Sequence, residues 1–339
     1  MMMLRTQLAD LLDIDLPIIQ APIGSASCPE LAAAVSNAGG LGMLALSWHC
    51  LEAIHLAIRK TRTLTDRPFG VNLVLQWNQA ERLETCLEEG APVVSFSWGD
   101  PEPYLARTGR AKVKVMHTVA SAAEARRVAD LGVDIIVAQG WEAGGHVQGQ
   151  VSTMALVPRV VDAVAPIPVV AAGGIADGRG LAAALALGAA GAWIGTRFLA
   201  SEEARSHSEY RRLILQAQET DTVYTGLFDG GWPNAPHRVI ENSTVANWKS
   251  AGSPPAGKRP AEGEVVARSE DGEPIHLYDD TIPLANMTGD VERLALYAGQ
   301  SVGLVHVIKS ASAIVHELTE DARRVLLNLA DNAKRHSNH

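Results

Sequence analysis

Eight short apolar runs, each followed by a stretch with helical spacing, constrain this chain more than any other feature. The runs occupy 18–22, 42–46, 69–75, 93–96, 113–118, 134–139, 168–172 and 190–194. Most carry apolar residues at consecutive positions, as parallel strands covered on both faces do. Helical stretches are read between them at 29–37, 51–60, 79–89, 121–131 and 178–187. Ser121 followed three residues later by Glu124 has the pattern of a capping box. Eight β-then-α units predict an α/β fold, a (β/α)8 TIM barrel. A doubly wound open sheet would need fewer strands and a glycine fingerprint after the first, and neither is present.

The runs follow one another at a near-constant spacing, except that 34 residues separate Asp134 from Pro168. The excess lies at 140–151, directly after the sixth run. In a barrel that is the catalytic face, so an enlarged loop there is where chemistry is expected. After Arg197 the rhythm is lost. Residues 201–219 read as one helix, 220–290 as irregular chain rich in Pro, Gly and charge, and 291–303 and 310–329 as helical. The expected division is a barrel over 1–219, an irregular insertion or lid over 220–290, and C-terminal helices over 291–339 that pack back on the barrel. The smaller part is thus mainly helical.

Composition removes several classes of function. Lys and Arg number 29 against 38 Asp and Glu, a formal net charge of −9. That is the wrong sign for a nucleic-acid binder. Apolar residues make up 47% of the chain, too many for a disordered protein. The longest apolar run, 181–195, is too short to span a membrane and contains Gly188 and Gly191. Residues 1–15 mix Arg5, Asp10, Asp13 and Asp15 and do not form a secretory signal. Cys28, Cys50 and Cys86 are odd in number and not spaced as metal ligands. A soluble cytoplasmic protein without a metal site is the expectation, with a homodimer left open.

Two glycine loops follow the last two runs: Gly173-Gly174-Ile175-Ala176-Asp177 and Ile194-Gly195-Thr196-Arg197. Each alone is equally a tight βα turn. Together, at the two strands whose loops commonly hold phosphate in barrels, they favour an anion on backbone N–H groups. After the sixth run comes Gln139-Gly140-Trp141-Glu142-Ala143-Gly144-Gly145-His146. Gln139 can reach into the barrel mouth, Gly144 and Gly145 permit tight curvature, and His146 is a base near neutral pH. Glu142 is read as a solvated or capping carboxylate. Ala21, Pro22 and Ile23 make a side-chain-poor turn against which a flat ring can lie. Asn72 interrupts a buried run and must find a partner there or in a ligand. His117 ends the fifth run and faces either a ligand or the core. Trp193 either lines the pocket or packs. A phosphorylated, planar ligand spread over several strand ends is implied, and FMN meets those conditions.

These residues resemble the nitronate monooxygenase family, also called 2-nitropropane dioxygenases. The resemblance is carried by Gln20-Ala21-Pro22, 32–42, Gly70-Val71-Asn72, 138–146, 170–178, Gly195-Thr196-Arg197-Phe198 and Tyr297-Ala298-Gly299-Gln300. It covers nearly the whole chain except roughly 230–281. It implies FMN in a TIM barrel with a smaller helical domain over the mouth. Ala21, Pro22 and Ile23 would contact the flavin ring, and Asn72 and Gln139 the ring or ribityl chain. Gly144, Gly174, Trp193, Ile194, Gly195 and Thr196 would serve the ribityl and phosphate end, beside Gly145 and Gly173. His146 matches the catalytic histidine. The implied reaction oxidises a nitronate or nitroalkane with dioxygen to a carbonyl compound and nitrite. Relatives on the same scaffold reduce quinones or enoyl-thioesters with NAD(P)H.

Overall fold

The computed structural model of the chain describes residues 4–336. Eight parallel strands form its centre: β1 (Ile18–Gln20), β2 (Gly42–Ala45), β3 (Phe69–Val74), β4 (Val93–Ser97), β5 (Lys114–Val119), β6 (Ile135–Gln139), then β8 (Val169–Ala172) and β9 (Gly191–Ile194). Between the sixth and seventh barrel strands lies a two-residue strand outside the barrel, β7 (Gly145–His146). The barrel order runs β1-β9-β8-β6-β5-β4-β3-β2. Closure comes from the parallel bridge Ile19–Leu41, with Gln20 N–H donating to the Leu41 carbonyl at 2.9 Å and Leu41 N–H to the Ile18 carbonyl at 2.9 Å. The barrel expected from eight apolar runs is therefore the observed one.

Two cores follow from the alternation of side chains along each strand. Ile18, Val71, Val94, Val115, Ile136, Ala171 and Ile194 face outward and pack under the helices. Those helices are α2 (Pro29–Asn37), α3 (Leu51–Leu64), α4 (Ala80–Glu88), α5 (Glu102–Ala111), α6 (Ala122–Asp130), α7 (Thr153–Val164) and α8 (Gly178–Ala186). Ile19, Met43, Val93, Met116, Ile135 and Val170 face inward. They meet Leu8 and Leu12 of α1 (Gln7–Leu12), which plugs the N-terminal end of the barrel. The interior is thus open only at the C-terminal ends of the strands.

Local chemistry sets the helix starts. Ser121 Oγ accepts from Glu124 N–H at 3.2 Å, while the Glu124 carboxylate reaches back to Ala120 N–H at 2.7 Å, one residue earlier than a standard capping box. Asp177 Oδ1 accepts from Arg179 N–H and Gly180 N–H and starts α8.

Past the barrel the chain departs from expectation. Residues 201–219 are not one helix. A short α9 (Thr196–Leu199) is followed by bends, and only Ser208–Gln216 forms helix α10. Residues 220–290 are not irregular. They contain β10 (Thr222–Thr225), β11 (His237–Ile240), α11 (Ser243–Ser250), β12 (Val265–Arg268), β13 (Pro274–His276) and β14 (Thr288–Gly289). β11 pairs antiparallel with β10 on one edge and with β7 on the other. β12 lies between β13 and β14 in a second small sheet. Around Phe228, Val245, Ile275 and Tyr278 they build a core of their own. Residues 291–303, expected helical, hold only two short 3-10 segments, Val291–Arg293 and Gln300–Leu304. The last helix, α12 (Ala311–His336), packs against α8 and α2.

Candidate active site

A cavity of about 500 Å³ opens at the C-terminal mouth of the barrel, within the usual range for small-molecule sites. Its floor is set by strand parity. Asn72 and Val74 on β3, Thr118 on β5, Val137 and Gln139 on β6, Ala172 on β8 and Trp193 on β9 all point in. Ala21, Pro22 and Ile23, after β1, form one wall. The loop 143–146, Gly173-Gly174 and Gly195-Thr196 form another. Two expected residues are absent from it. Ile194 follows Trp193 on β9 and so faces the helix layer, buried in that core. His117 sits between the inward residues Met116 and Thr118, so its ring turns outward toward Arg127 of α6 and Asp100. It is a buried histidine with its pKa pushed down by desolvation to about 4.

At one end the backbone leaves room for an anion. Gly173 and Gly174 have φ of +98° and +73°, a conformation that disfavours side chains. Gly144 meets the C-terminal segment: a Cβ there would lie 2.4 Å from Gly299 N and 2.5 Å from the Ala298 carbonyl carbon. That contact is tied by Gln300 N–H to the Glu142 carbonyl at 2.9 Å and by Gly299 N–H to Thr196 Oγ1 at 3.0 Å. The Ser301 hydroxyl completes this end. Glu142 itself caps α7, accepting from Thr153 N–H at 2.9 Å and from Thr153 Oγ1 at 3.2 Å.

At the other end stands His146. Its backbone is held twice. Gln139 Nε2 donates to its carbonyl at 3.2 Å, and β7 pairs His146 with His237. Arg238, the next residue of β11, donates to the Trp141 carbonyl at 3.0 Å and stacks 4.7 Å from the Trp141 ring. The imidazole stacks on Trp232 with ring centroids 4.1 Å apart. Nε2 is sealed from solvent with no hydrogen-bond partner. Desolvation, and then the neighbouring His237, push the His146 pKa down to about 3, so it is neutral at ordinary pH. The nearest acid is Asp280, with Oδ2 3.7 Å from Nε2. Burial pushes its carboxyl up to about 7 against the opposing hydrogen bond donated by the Tyr297 hydroxyl to Oδ1. Two titratable groups in contact, displaced in opposite directions, are the arrangement from which acid–base roles are made.

Sequence reading missed Asp280, Tyr297 and the aromatic wall. Trp48, Trp98 and Trp232 line the cavity, and Trp77 packs behind them, with centroids 5.0–6.2 Å apart. Asp280 and Trp232 come from 220–290, where no motif marked them. Their proximity depends on the pairing of Gly230 with Asp279 and on Asp280 N–H donating to the Gly230 carbonyl at 2.9 Å. Tyr297 stood within a recognised motif, yet nothing in that motif announced a hydroxyl aimed at a carboxyl. Among the described residues, no cluster of three or more His, Cys, Asp or Glu can hold a metal ion, and no helix is long and apolar enough to cross a membrane.

The chain resembles known proteins over nearly its whole length. A (3aS,4S,5R,7aS)-5-hydroxy-7a-methyl-1-oxo-octahydro-1H-indene-4-carboxyl-CoA dehydrogenase of Mycobacterium tuberculosis is 36% identical, across 95% of this chain and 97% of that protein. The solved structure of FabK from Thermotoga maritima superposes with a TM-score of 0.80 at 34% identity, covering 97% of this chain and 99% of the other. Nitroalkane oxidase from Streptomyces ansochromogenes superposes at 0.77 with 30% identity, covering 95% and 99%. The nitronate monooxygenase family model matches residues 5–82 and 76–321. With the barrel, the glycine-lined mouth and the loop histidine in place, these matches show that the chain is an oxidoreductase of the nitronate monooxygenase family.

Proposed function

We propose that the protein is an FMN-dependent oxidoreductase that oxidises alkyl nitronates, and nitroalkanes after deprotonation, with dioxygen to carbonyl compounds and nitrite. One observation carries the reading: a neutral imidazole without a hydrogen-bond partner at Nε2 faces a cavity whose far end is a glycine cradle with two hydroxyls. The residues fit FMN. The positive φ at Gly173 and Gly174 and the close approach at Gly144 keep space that side chains would fill. Gly144, Gly174, Gly195, Thr196 and Ser301 would hold the phosphate end. Gln139 and Asn72 would hold the ribityl chain or ring, and Ala21, Pro22, Ile23 and Trp193 the ring itself. FMN, when bound, supplies the two-electron acceptor that the protein's own side chains lack. His146 takes the proton from the carbon beside the activating group. Stacking on Trp232 fixes its ring plane and keeps water from that face.

A second reading is favoured by the aromatic wall, which is broad for a nitroalkane. On it the carbon acid is a thioester with an apolar body. The redox partner is then NAD(P)H acting on an enoyl-thioester or quinone, or the reaction is a dehydrogenation like that of the mycobacterial relative.

Anaerobic mixing separates the readings. Purified protein should be yellow, its flavin should bleach with ethylnitronate, and it should consume oxygen when air is readmitted. Bleaching by NADH or NADPH with slow nitronate turnover would move the assignment to the second reading. His146→Ala should keep the flavin and lose at least about 10²-fold in turnover. A colourless protein that FMN does not reconstitute would end both.

A further inference from the structure

The two ring nitrogens of His146 face different surroundings. Nε2 is the one sealed from solvent, and Asp280 Oδ2 lies 3.7 Å from it. Nδ1 is not sealed, and His146 lines the cavity. The carboxyl is placed by the backbone, with Asp280 N–H on Gly230 and the Tyr297 hydroxyl donating to Oδ1. The Tyr297 carbonyl is fixed in turn by the hydroxyl of Tyr210 on α10. Resting on the carbon-acid chemistry proposed above, we propose that Asp280 is the positioning residue of His146. Ionised, it accepts the Nε2–H and turns Nδ1 into the base for a neutral carbon acid. Protonated, it admits a substrate that arrives already anionic.

The step balances. The substrate C–H bond breaks, its electron pair stays on the substrate and delocalises into the nitro or thioester group, and the proton forms an N–H bond at Nδ1. The imidazolium so made sits in a wall that otherwise penalises charge, and the Asp280 carboxylate is the anion that stabilises it. A closing movement of about 1 Å turns 3.7 Å into a charge-assisted hydrogen bond. An anionic nitronate has the opposite requirement: a second negative charge beside it in a dry site is repelled.

The groups facing Asp280 leave its own ionisation as the controlling one. His146 is neutral across the working range. His237 on β11 is lowered by burial, and both its nitrogens are engaged, with Ala235 at 2.9 Å and Phe228 at 3.3 Å. Tyr297 and Tyr210 are raised and stay protonated. The adjacent Asp279 carries like charge and raises Asp280 further. Among the described residues no Lys or Arg pairs with Asp280.

The test compares kcat/KM of wild-type holoenzyme, Asp280→Asn and Asp280→Glu on freshly dissolved nitroethane and on preformed ethylnitronate, between about pH 5.5 and 8. Wild type should gain about tenfold per pH unit on nitroethane up to about pH 7, then level, and should lose rate on ethylnitronate above it. Asp280→Asn should lose about 10²-fold on nitroethane, with a flat profile, and retain ethylnitronate turnover across the range. Asp280→Glu should restore the pH-dependent rise. Equal losses on both substrates, or a wild-type profile in Asp280→Asn, would overturn the proposal. A second measurement needs no turnover. In holoprotein labelled with 15N-histidine, the His146 Nε2 resonance, assigned with His146→Ala, should shift with a midpoint near pH 7 in wild type and not in Asp280→Asn. If that titration is seen but neither nitro compound reacts, the substrate assignment fails and the dyad stands. If it is absent, the dyad fails whatever the substrate.

Discussion

Replacing Asp280 by Asn should stabilise the protein, and by an amount that depends on pH. An acid in water ionises near 3.8, and burial raises Asp280 to about 7. Below about pH 4 the carboxyl is protonated in folded and unfolded chains alike. As pH rises from there to about 7, the unfolded chain ionises and the folded one does not, so the native state loses stability. Above 7 the loss is complete. A displacement of about three units corresponds to about 4 kcal/mol. Asn removes the ionisation, keeps an oxygen for the Tyr297 hydroxyl and nearly conserves volume. Between about pH 4.5 and 8 its stability advantage should therefore grow by about 3 kcal/mol. In a chain of this length that is roughly 4 °C in Tm. Scanning calorimetry of both holoproteins at the two pH values reads it directly. A difference in Tm that stays constant within about 1 °C would show that the folded protein does not hold this carboxyl protonated, and the charge argument at the site would go with it.

Two further substitutions probe the two ends of the cavity. Gly144→Ala drives a methyl group against the backbone at 298–299. It should cost about 1–3 kcal/mol and release the flavin on gel filtration, whereas full retention would show that the cradle is not where the cofactor is held. Trp232→Ala removes the ring stacked on His146 and the centre of the tryptophan wall. It should lower stability by about 3–5 kcal/mol and raise KM for a bulky apolar substrate more than for ethylnitronate. Equal effects on both would deny the wall a part in selectivity.

The barrel was legible because each of its strands is a compact apolar run and the repeat is regular. The glycine loops and His146 were legible as lining residues of the cavity because the loops after fixed strand ends form the mouth of a barrel. Strand parity was not. Where both faces are buried, hydrophobicity runs through consecutive residues, so nothing marked Ile194 and His117 as outward or Trp193 and Thr118 as inward. Residues 220–290 escaped for a different reason. Their strands are two to four residues long and separated by Gly and Pro turns, too short for a period to register. The positions of Asp280 and Trp232 at the cavity arise from pairing between Gly230 and Asp279, about fifty residues apart in the chain. Tyr297 also acts through a tertiary contact, which spacing along a sequence does not encode.

The antiparallel match of His146 with His237 has a consequence for how such an enzyme can diverge. The loop after β6 carries the imidazole and barrel residue Gln139 holds its carbonyl, but the strand it pairs with, its acid neighbour and its stacked aromatic are supplied by a remote hairpin and the turn beside it. Drift confined to that borrowed scaffold can redirect the chemistry while every strand of the cylinder stays as it was. Members of one lineage are then free to share a cofactor cradle and differ in what they consume.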